Sequence, residues 1–249
     1  MLNPNNIYLG DCLELMAEIP DKSIQLVLVD LPYGITANKW DSEISLDKLW
    51  QQYLRLGKDN AVYAFTCNQP FTSKLVCSNI EMWRHEWIWI KNRGGNFANT
   101  IREPFKEHEA IQIFSKGKWI YNKQMQERTG SGKDRVKYDF NQRSKSENYG
   151  EFEGIEGAKQ GELRVPSSWQ KFNTDTSGLH PTIKPVELFE YLIKTYTNEN
   201  DLVLDNTMGS GTTCLAAKNL NRQFIGIEKE EKYFNIAKER LGLLTLNKI

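Results

Sequence analysis

The chain lacks the features that would place it in several classes at once. No apolar run approaches the roughly 18 residues of a membrane span, and the N-terminus, MLNPNNIYLG, has no cationic stretch of a secretory leader. Cysteine is scarce: Cys12, Cys67, Cys77 and Cys214 are scattered, with no C-x-x-C pair. That excludes a disulfide framework, argues against a zinc or redox motif, and leaves free thiols of a reducing cytoplasm as the expectation. An excess of either charge is missing too, since Lys plus Arg and Asp plus Glu both number 32. With a formal net charge of zero, any polyanionic partner must be met by a local basic patch. The composition, 39% hydrophobic, excludes collagen, a disordered chain and a disulfide mini-protein. The 249 residues suit one large domain or two small ones, with room for a substantial core.

What is present is an alternation of strands and helices. IYLG (7–10) reads as a strand, and Asp11 opens a short helix with apolar Leu13, Leu15, Met16 and Ile19. QLVLVD (25–30) is a continuous apolar strand of the kind buried on both faces of a parallel sheet, and Pro32 stops it. A helix is expected over 45–56, with strands at 61–65, 86–90 and 109–114. After a long polar stretch the rhythm returns. A helix is expected over 185–196 with Pro185 near its first position, then a strand at 201–205 and a Gly-containing loop at 206–211. A helix at 212–219, a strand at 223–228 and a helix at 230–241 close the chain. The pattern predicts an open α/β sheet.

Between about 116 and 175 the alternation is lost. Residues 116–145 carry nine Lys and Arg against three Asp and Glu, whereas 147–162 carry five Glu and one Lys. A neutral chain therefore contains a basic segment followed by an acidic one. The plain reading is a solvated insertion; the sharper one is a recognition module carried on the α/β core.

Two segments carry chemistry. In Val203-Leu204-Asp205-Asn206-Thr207-Met208-Gly209-Ser210-Gly211-Thr212-Thr213 a strand runs into a Gly-rich turn and then a helix. Glycine permits positive φ and close backbone approach, and the helix N-terminus offers N–H groups to an anion. Glu228 ends the next strand, placed to accept hydrogen bonds from a ribose diol. A phosphate-binding P-loop would need a Lys after Gly211, and a dinucleotide fold a third Gly where Cys214 stands. An S-adenosylmethionine site, whose anion is only an amino-acid carboxylate, needs neither. The second segment is Asp30-Leu31-Pro32-Tyr33, at the carboxyl end of an apolar strand where open α/β sheets bind ligands. The Asp30 carboxylate and the Leu31 carbonyl can accept hydrogen bonds from an aromatic amine, Pro32 stiffens the turn, and Tyr33 offers a stacking face. Alone, either segment could be a structural turn.

Together they are more specific. The chain resembles the S-adenosylmethionine-dependent amino-group DNA methyltransferases, the N6-adenine and N4-cytosine enzymes. DLPY resembles their catalytic tetrad, usually D-P-P-Y or S-P-P-Y, and DNTMGSGTT resembles their cofactor loop. HPTIKP (180–185) matches their H-P-x-x-K-P element, and residues 10–30 and 102–118 resemble the segments around the core strands. The tetrad precedes the cofactor loop, as in the circularly permuted beta group. Leu31 stands where the family has Pro, and Asn206-Thr207 where it often has Pro-Phe.

The resemblance implies a Rossmann-like α/β methyltransferase fold with a permuted, mostly parallel sheet. Its core would be 1–118 and 176–249, with an inserted target-recognition segment at 119–175. It implies S-adenosyl-L-methionine as cofactor, held by Asp11, Cys12, Asp30, Lys184, Asp205, Gly209, Ser210, Gly211, Thr212, Thr213 and Glu228. Among these, Asp11 and Cys12 would meet the adenine, and Thr212, Thr213 and Lys184 the carboxylate; Asp11 as a helix cap and Lys184 as a surface charge are the plain alternatives. Asp30, Leu31, Pro32 and Tyr33 would be catalytic, with Asp30 favouring adenine over cytosine. Double-stranded DNA would be extruded at the target base. Arg93, Arg102, Lys133, Arg135, Lys137, Arg143 and Lys145 would meet phosphates. No metal is implied. His180 is read as structural, and His85 and His108 as packing or surface residues. A homodimer and a companion restriction endonuclease outside this chain are compatible with the family. The competing classes are an RNA or protein-amide methyltransferase, an inactive DNA-binding protein, and a nicotinamide oxidoreductase.

Overall fold

A computed structural model describes residues 1–34, 43–128, 145–146, 150–151 and 163–243. In chain order the strands are β1 (Asn6–Leu9), β2 (Ile24–Asp30), β3 (Gly57–Cys67), β4 (Trp83–Ile90), β5 (His108–Ser115), β6 (Gln126–Glu127), β7 (Lys145–Ser146), β8 (Gly150–Glu151), β9 (Leu163–Arg164), β10 (Trp169–Lys171), β11 (Leu202–Asp205) and β12 (Gln223–Glu228). The α-helices are α1 (Cys12–Met16), α2 (Leu46–Leu56), α3 (Phe71–Ser78), α4 (Val186–Tyr196), α5 (Thr212–Asn219) and α6 (Glu231–Arg240).

Eight strands form one sheet in the order β1-β12-β11-β2-β3-β5-β4-β10. Pairing is parallel from β1 through β3, antiparallel on both sides of β5, and parallel again between β4 and β10. Only β5 is reversed. The fold is therefore mixed α/β with a mostly parallel sheet, as expected. Central β2 is buried through Val29 because helices cover both faces, which is why its sequence shows no alternation. On one face Met16, Leu49, Trp50, Tyr53 and Leu56 of α1 and α2 pack with Val27, Val29 and Phe65. On the other, Leu188, Leu192 and Ile193 of α4 and Ala216 and Ala217 of α5 pack with Leu26, Leu28 and Val203.

Local rules account for most boundaries. Ser45 caps α2, its hydroxyl accepting from Lys48 N at 3.5 Å, and Leu46, Leu49, Trp50, Tyr53 and Leu56 line one helical stripe. Asp11 caps α1, its carboxylate accepting from Leu13 N at 2.9 Å and Glu14 N at 3.4 Å. Pro185 stands at the N-cap of α4, one position before the expected one, with extended backbone. β3 starts four residues before its expected position, because Gly57 pairs with Ile24 across a register shift.

The compact units divide at Lys123 and Ser167: one comprises Met1–Asn122 and Ser168–Ile249, the other Lys123–Ser167. The expected boundaries at 119 and 175 thus move inward. Trp169–Lys171 pairs with Ile88–Ile90 as an edge strand of the main sheet, and Asn122 N bonds Thr195 O at 2.8 Å at the end of α4. The smaller unit holds two antiparallel pairs, β6 with β9 and β7 with β8. Lys133, Arg135, Lys137 and Arg143 lie outside the described residues, and Lys145 starts β7.

Candidate active site

The carboxyl ends of β1, β2, β11 and β12 open onto one cleft of about 1130 Å³. Asp30 stands at the end of β2, and its two carboxylate oxygens are held differently. Oδ1 accepts from the Tyr33 hydroxyl at 2.8 Å and from the Thr66 hydroxyl of neighbouring β3. Oδ2 accepts from Lys184 Nζ. Tyr33 has a second acceptor in reach, Thr66 O at 2.7 Å, and its ring lies 4.8 Å from that of Phe71. Leu31 is 4% exposed, and Leu31 and Pro32 line the cleft beside Asp30.

Lys184 continues the charge pattern inward. It is buried, lies 3.7 Å from Glu109 Oε2, and Glu109 Oε1 in turn pairs with Lys91. Two ammonium groups and two carboxylates therefore alternate: Lys91, Glu109, Lys184, Asp30. Burial disfavours the Lys184 charge, but the Asp30 and Glu109 carboxylates outweigh it and raise its pKa. Lys184 had been expected at the cofactor carboxylate. The fold brings it across 154 positions to Asp30, in the cleft that it also lines. His180 opens that turn; its Nδ1 accepts from Thr182 N at 3.2 Å, and burial lowers its pKa to about 4. Its ring lines the cleft and lies 4.2 Å from that of Tyr233, the two planes tilted by 59°.

The Gly-rich loop forms the other wall. Gly209 and Gly211 have φ of +53° and +80°, the left-handed region that side chains avoid. Gly209 N donates to Glu228 Oε2 at 2.8 Å, and Glu230 N to Oε1 at 2.8 Å. These fix the Glu228 carboxylate at the cleft, where burial raises its pKa. Asp205 is buried and braces the loop, accepting from Thr207 N at 3.1 Å and from the Thr213 hydroxyl. Its burial lifts its pKa to about 7.

Asp11, Cys12, Ser210 and Thr212 line the cleft with these residues. Gly211 and Thr213 do not: Gly211 sits 2.9 Å, measured from an added Cβ, from the Ala237 methyl, and the Thr213 hydroxyl turns to Asp205 and Leu28 O. Arg93 and Arg102 are exposed on the connection between β4 and β5.

Sequence reasoning missed several partners. Thr66 of β3 bonds Asp30, and Glu109 of β5 with Lys91, just after β4, extends the charge pattern behind it; the one signal was a charge beside apolar strand residues, Glu109 at the head of EAIQIF and Lys91 after EWIWI. Arg240 of α6 donates to Ser210 O at 2.7 Å and to the Ser210 and Thr212 hydroxyls, pinning the loop from behind. The Tyr53 hydroxyl donates to Asn206 Oδ1 at 2.7 Å, while Asn206 Nδ2, beside the Cys12 thiol, is buried with no oxygen acceptor. Among the described residues no group of His, Cys, Asp and Glu could hold a metal.

Residues 24–239 match the DNA methylase family. The Type II methyltransferase M1.MboII of Moraxella bovis is 33% identical, over 99% of this chain and all of its own. The Type II methyltransferase M.BglII of Bacillus subtilis is 26% identical over 96% of this chain and 69% of its own. Among solved structures, that of an M1.HpyAVI complex with SAM superposes with a TM-score of 0.64 at 28% identity, covering 94% of this chain and 98% of that one. With its family shown by both the profile and a full-length relative, the chain belongs to the DNA methylases of the N6-adenine and N4-cytosine type.

Proposed function

We propose that the chain methylates the exocyclic N6 amine of an adenine extruded from double-stranded DNA, with Asp30 as the residue that holds the amine. The observation that carries the reading is the state of the Asp30 carboxylate at the mouth of the cleft. A carboxylate offers about four lone-pair sites. Tyr33 and Thr66 take two on Oδ1 and Lys184 takes one on Oδ2, which leaves one for a ligand in the cleft that Asp30 lines.

S-adenosyl-L-methionine is the cofactor, and the residues fit it. Glu228 presents a fixed carboxylate for the ribose hydroxyls. Asn206 Nδ2 is a buried donor that an acceptor on the ligand would complete. Asp11, Cys12, Ser210 and Thr212 bound the space between. Asp205, Gly211 and Thr213 shape the loop from behind, and Lys184 serves Asp30. When bound, the cofactor supplies an electrophilic methyl group on a sulfonium.

The chain's own residues do the rest by positioning. Asp30 Oδ2 and the Leu31 carbonyl each accept one hydrogen of the amine, so its lone pair points to the methyl donor. Tyr33 stacks on the extruded base. As positive charge grows on the nitrogen, the Asp30 carboxylate stabilises it, held in place by its three donors. Asp30 rather than Ser at the head of the tetrad supports adenine as the base. Arg93, Arg102 and the basic run Lys133, Arg135, Lys137, Arg143 and Lys145 are proposed to meet phosphates.

The test is to incubate the protein with unmethylated plasmid and labelled S-adenosylmethionine, digest to nucleosides, and identify the product by mass spectrometry. N6-methyladenine is expected. N4-methylcytosine would overturn the assignment of the base, and no methylated nucleoside from an enzyme that binds the cofactor would overturn DNA as substrate.

A further inference from the structure

The connection between β4 and β5, residues 91–107, is held in shape by its own contacts. Lys91 N donates to Glu107 O at 2.8 Å and Gly95 N to Lys106 O at 3.2 Å, carrying the hairpin ladder beyond the strands. Asn96 clamps the neck: its Oδ1 accepts from Lys106 N at 2.7 Å, and its Nδ2 donates to Glu103 Oε1 at 3.1 Å and Pro104 O at 3.0 Å. The Phe105 ring lies over Gly94, where an added Cβ would stand 2.5 Å from it. At the tip, Phe97–Asn99 forms a short 3₁₀ turn, and Arg102 N and Glu103 N both donate to Asn99 O.

A loop braced this way has the means to fold apolar groups back on itself, and Phe105, 46% exposed, still lays its ring against Gly94. The tip goes much further: Phe97 is 80% exposed and Ile101 93%. Arg93 and Arg102 flank them, both exposed and without an ion pair among the described residues, whereas Lys106 is 3.9 Å from Glu103. The base of the loop belongs to the cleft, which Lys91 and Gly95 line. Water gives no reason to display a phenyl and a sec-butyl group between guanidinium groups beside an active site.

We propose that Phe97 and Ile101 form an apolar wedge that enters the base stack of duplex DNA at the target, with Arg93 and Arg102 on the adjacent phosphates. The inference rests on the reading that the enzyme extrudes its base. Extrusion leaves a gap and costs stacking energy, and apolar side chains inserted at a base step offset that cost. The unpaired arginines favour a polyanion over a second copy of the chain, which would bring like charges together.

The test uses the full chain. The modified site is first mapped on plasmid methylated by the wild type. Single-turnover methylation is then measured on duplexes that carry that site, with the target base either paired or mispaired. The double variant F97A/I101A is expected to be about tenfold slower or more on the paired duplex and within about twofold of wild type on the mispaired one, whose base is already loosened. Its cofactor affinity, by calorimetry, should be unchanged. No slowing, or equal slowing on both duplexes, would overturn the wedge. So would a shift in oligomeric state by sedimentation, which would assign the tip to a second copy. Wild type that methylates no DNA would overturn the base-extruding reading, and the wedge with it.

Discussion

Replacing Lys184 by Met tests whether the alternating charges beneath the tetrad act as one unit. Lys184 is 7% exposed and touches two carboxylates, Asp30 and, at 3.7 Å, Glu109. Its removal leaves Glu109 with Lys91 but strips Asp30 of the one cation that pairs with it among the described residues. Breaking a buried pair from one side costs about 3–5 kcal/mol, because the other charge stays buried and uncompensated. Asp30 is 23% exposed and keeps Tyr33 and Thr66 as donors, so the low end, about 3 kcal/mol, is expected. Adding Asp30→Asn removes the stranded charge, and the double variant should regain most of the loss. Urea unfolding of the two single variants and the double closes the cycle. If Lys184→Met lies within about 1 kcal/mol of wild type, or Asp30→Asn fails to restore it, the reasoning is wrong.

Gly211→Ala meets both a φ of +80° and the Ala237 methyl at 2.9 Å, whereas Gly178→Ala at φ +74° meets open space. The first should cost about 2–3 kcal/mol and the second about 1, read as melting temperatures; equal losses would refute the steric part. Asp205 has a pKa of about 7 in the fold against an ordinary 3.8, so between those values the folded chain binds more protons than the unfolded one. Its stability should therefore fall as pH rises across that window, by up to about 4 kcal/mol. Asp205→Asn should lose less stability than wild type between pH 5 and pH 8 in urea titrations, and an identical slope would show that burial does not set this group.

Much of the scaffold was legible because its signals are local. Continuous apolar runs gave β2, β11 and β12, Ser45 and Asp11 marked helix starts, and the two loop glycines stand where left-handed backbone is required. What could not be read was set by distance along the chain. Lys184 resembles a cofactor ligand in sequence, yet only the folded sheet puts it against Asp30. Glu109 is hidden in a strand whose other residues say only that it is buried. Trp169–Lys171 is three residues long, too short to show a period, and it lies in a polar stretch, so it was assigned to the insertion. Thr213 reads as a free hydroxyl at a helix start, but its side faces Leu28 and Asp205.

The single reversed strand has a further consequence. Parallel neighbours must be joined by a crossover of a dozen residues or more, whereas antiparallel neighbours can be joined by a simple hairpin. Because β5 runs backwards, its first residues, Glu109 among them, reach the same edge as the last residues of β2 and β4, and the β4–β5 connection is a hairpin at that edge rather than a crossover. Residues can be added there or removed without moving a strand or a helix. The architecture thus sets an adjustable tip beside the fixed ends of β2 and β4, and an exchange of 97–102 between relatives would transfer a surface while leaving Lys91 and Gly95 at the cleft.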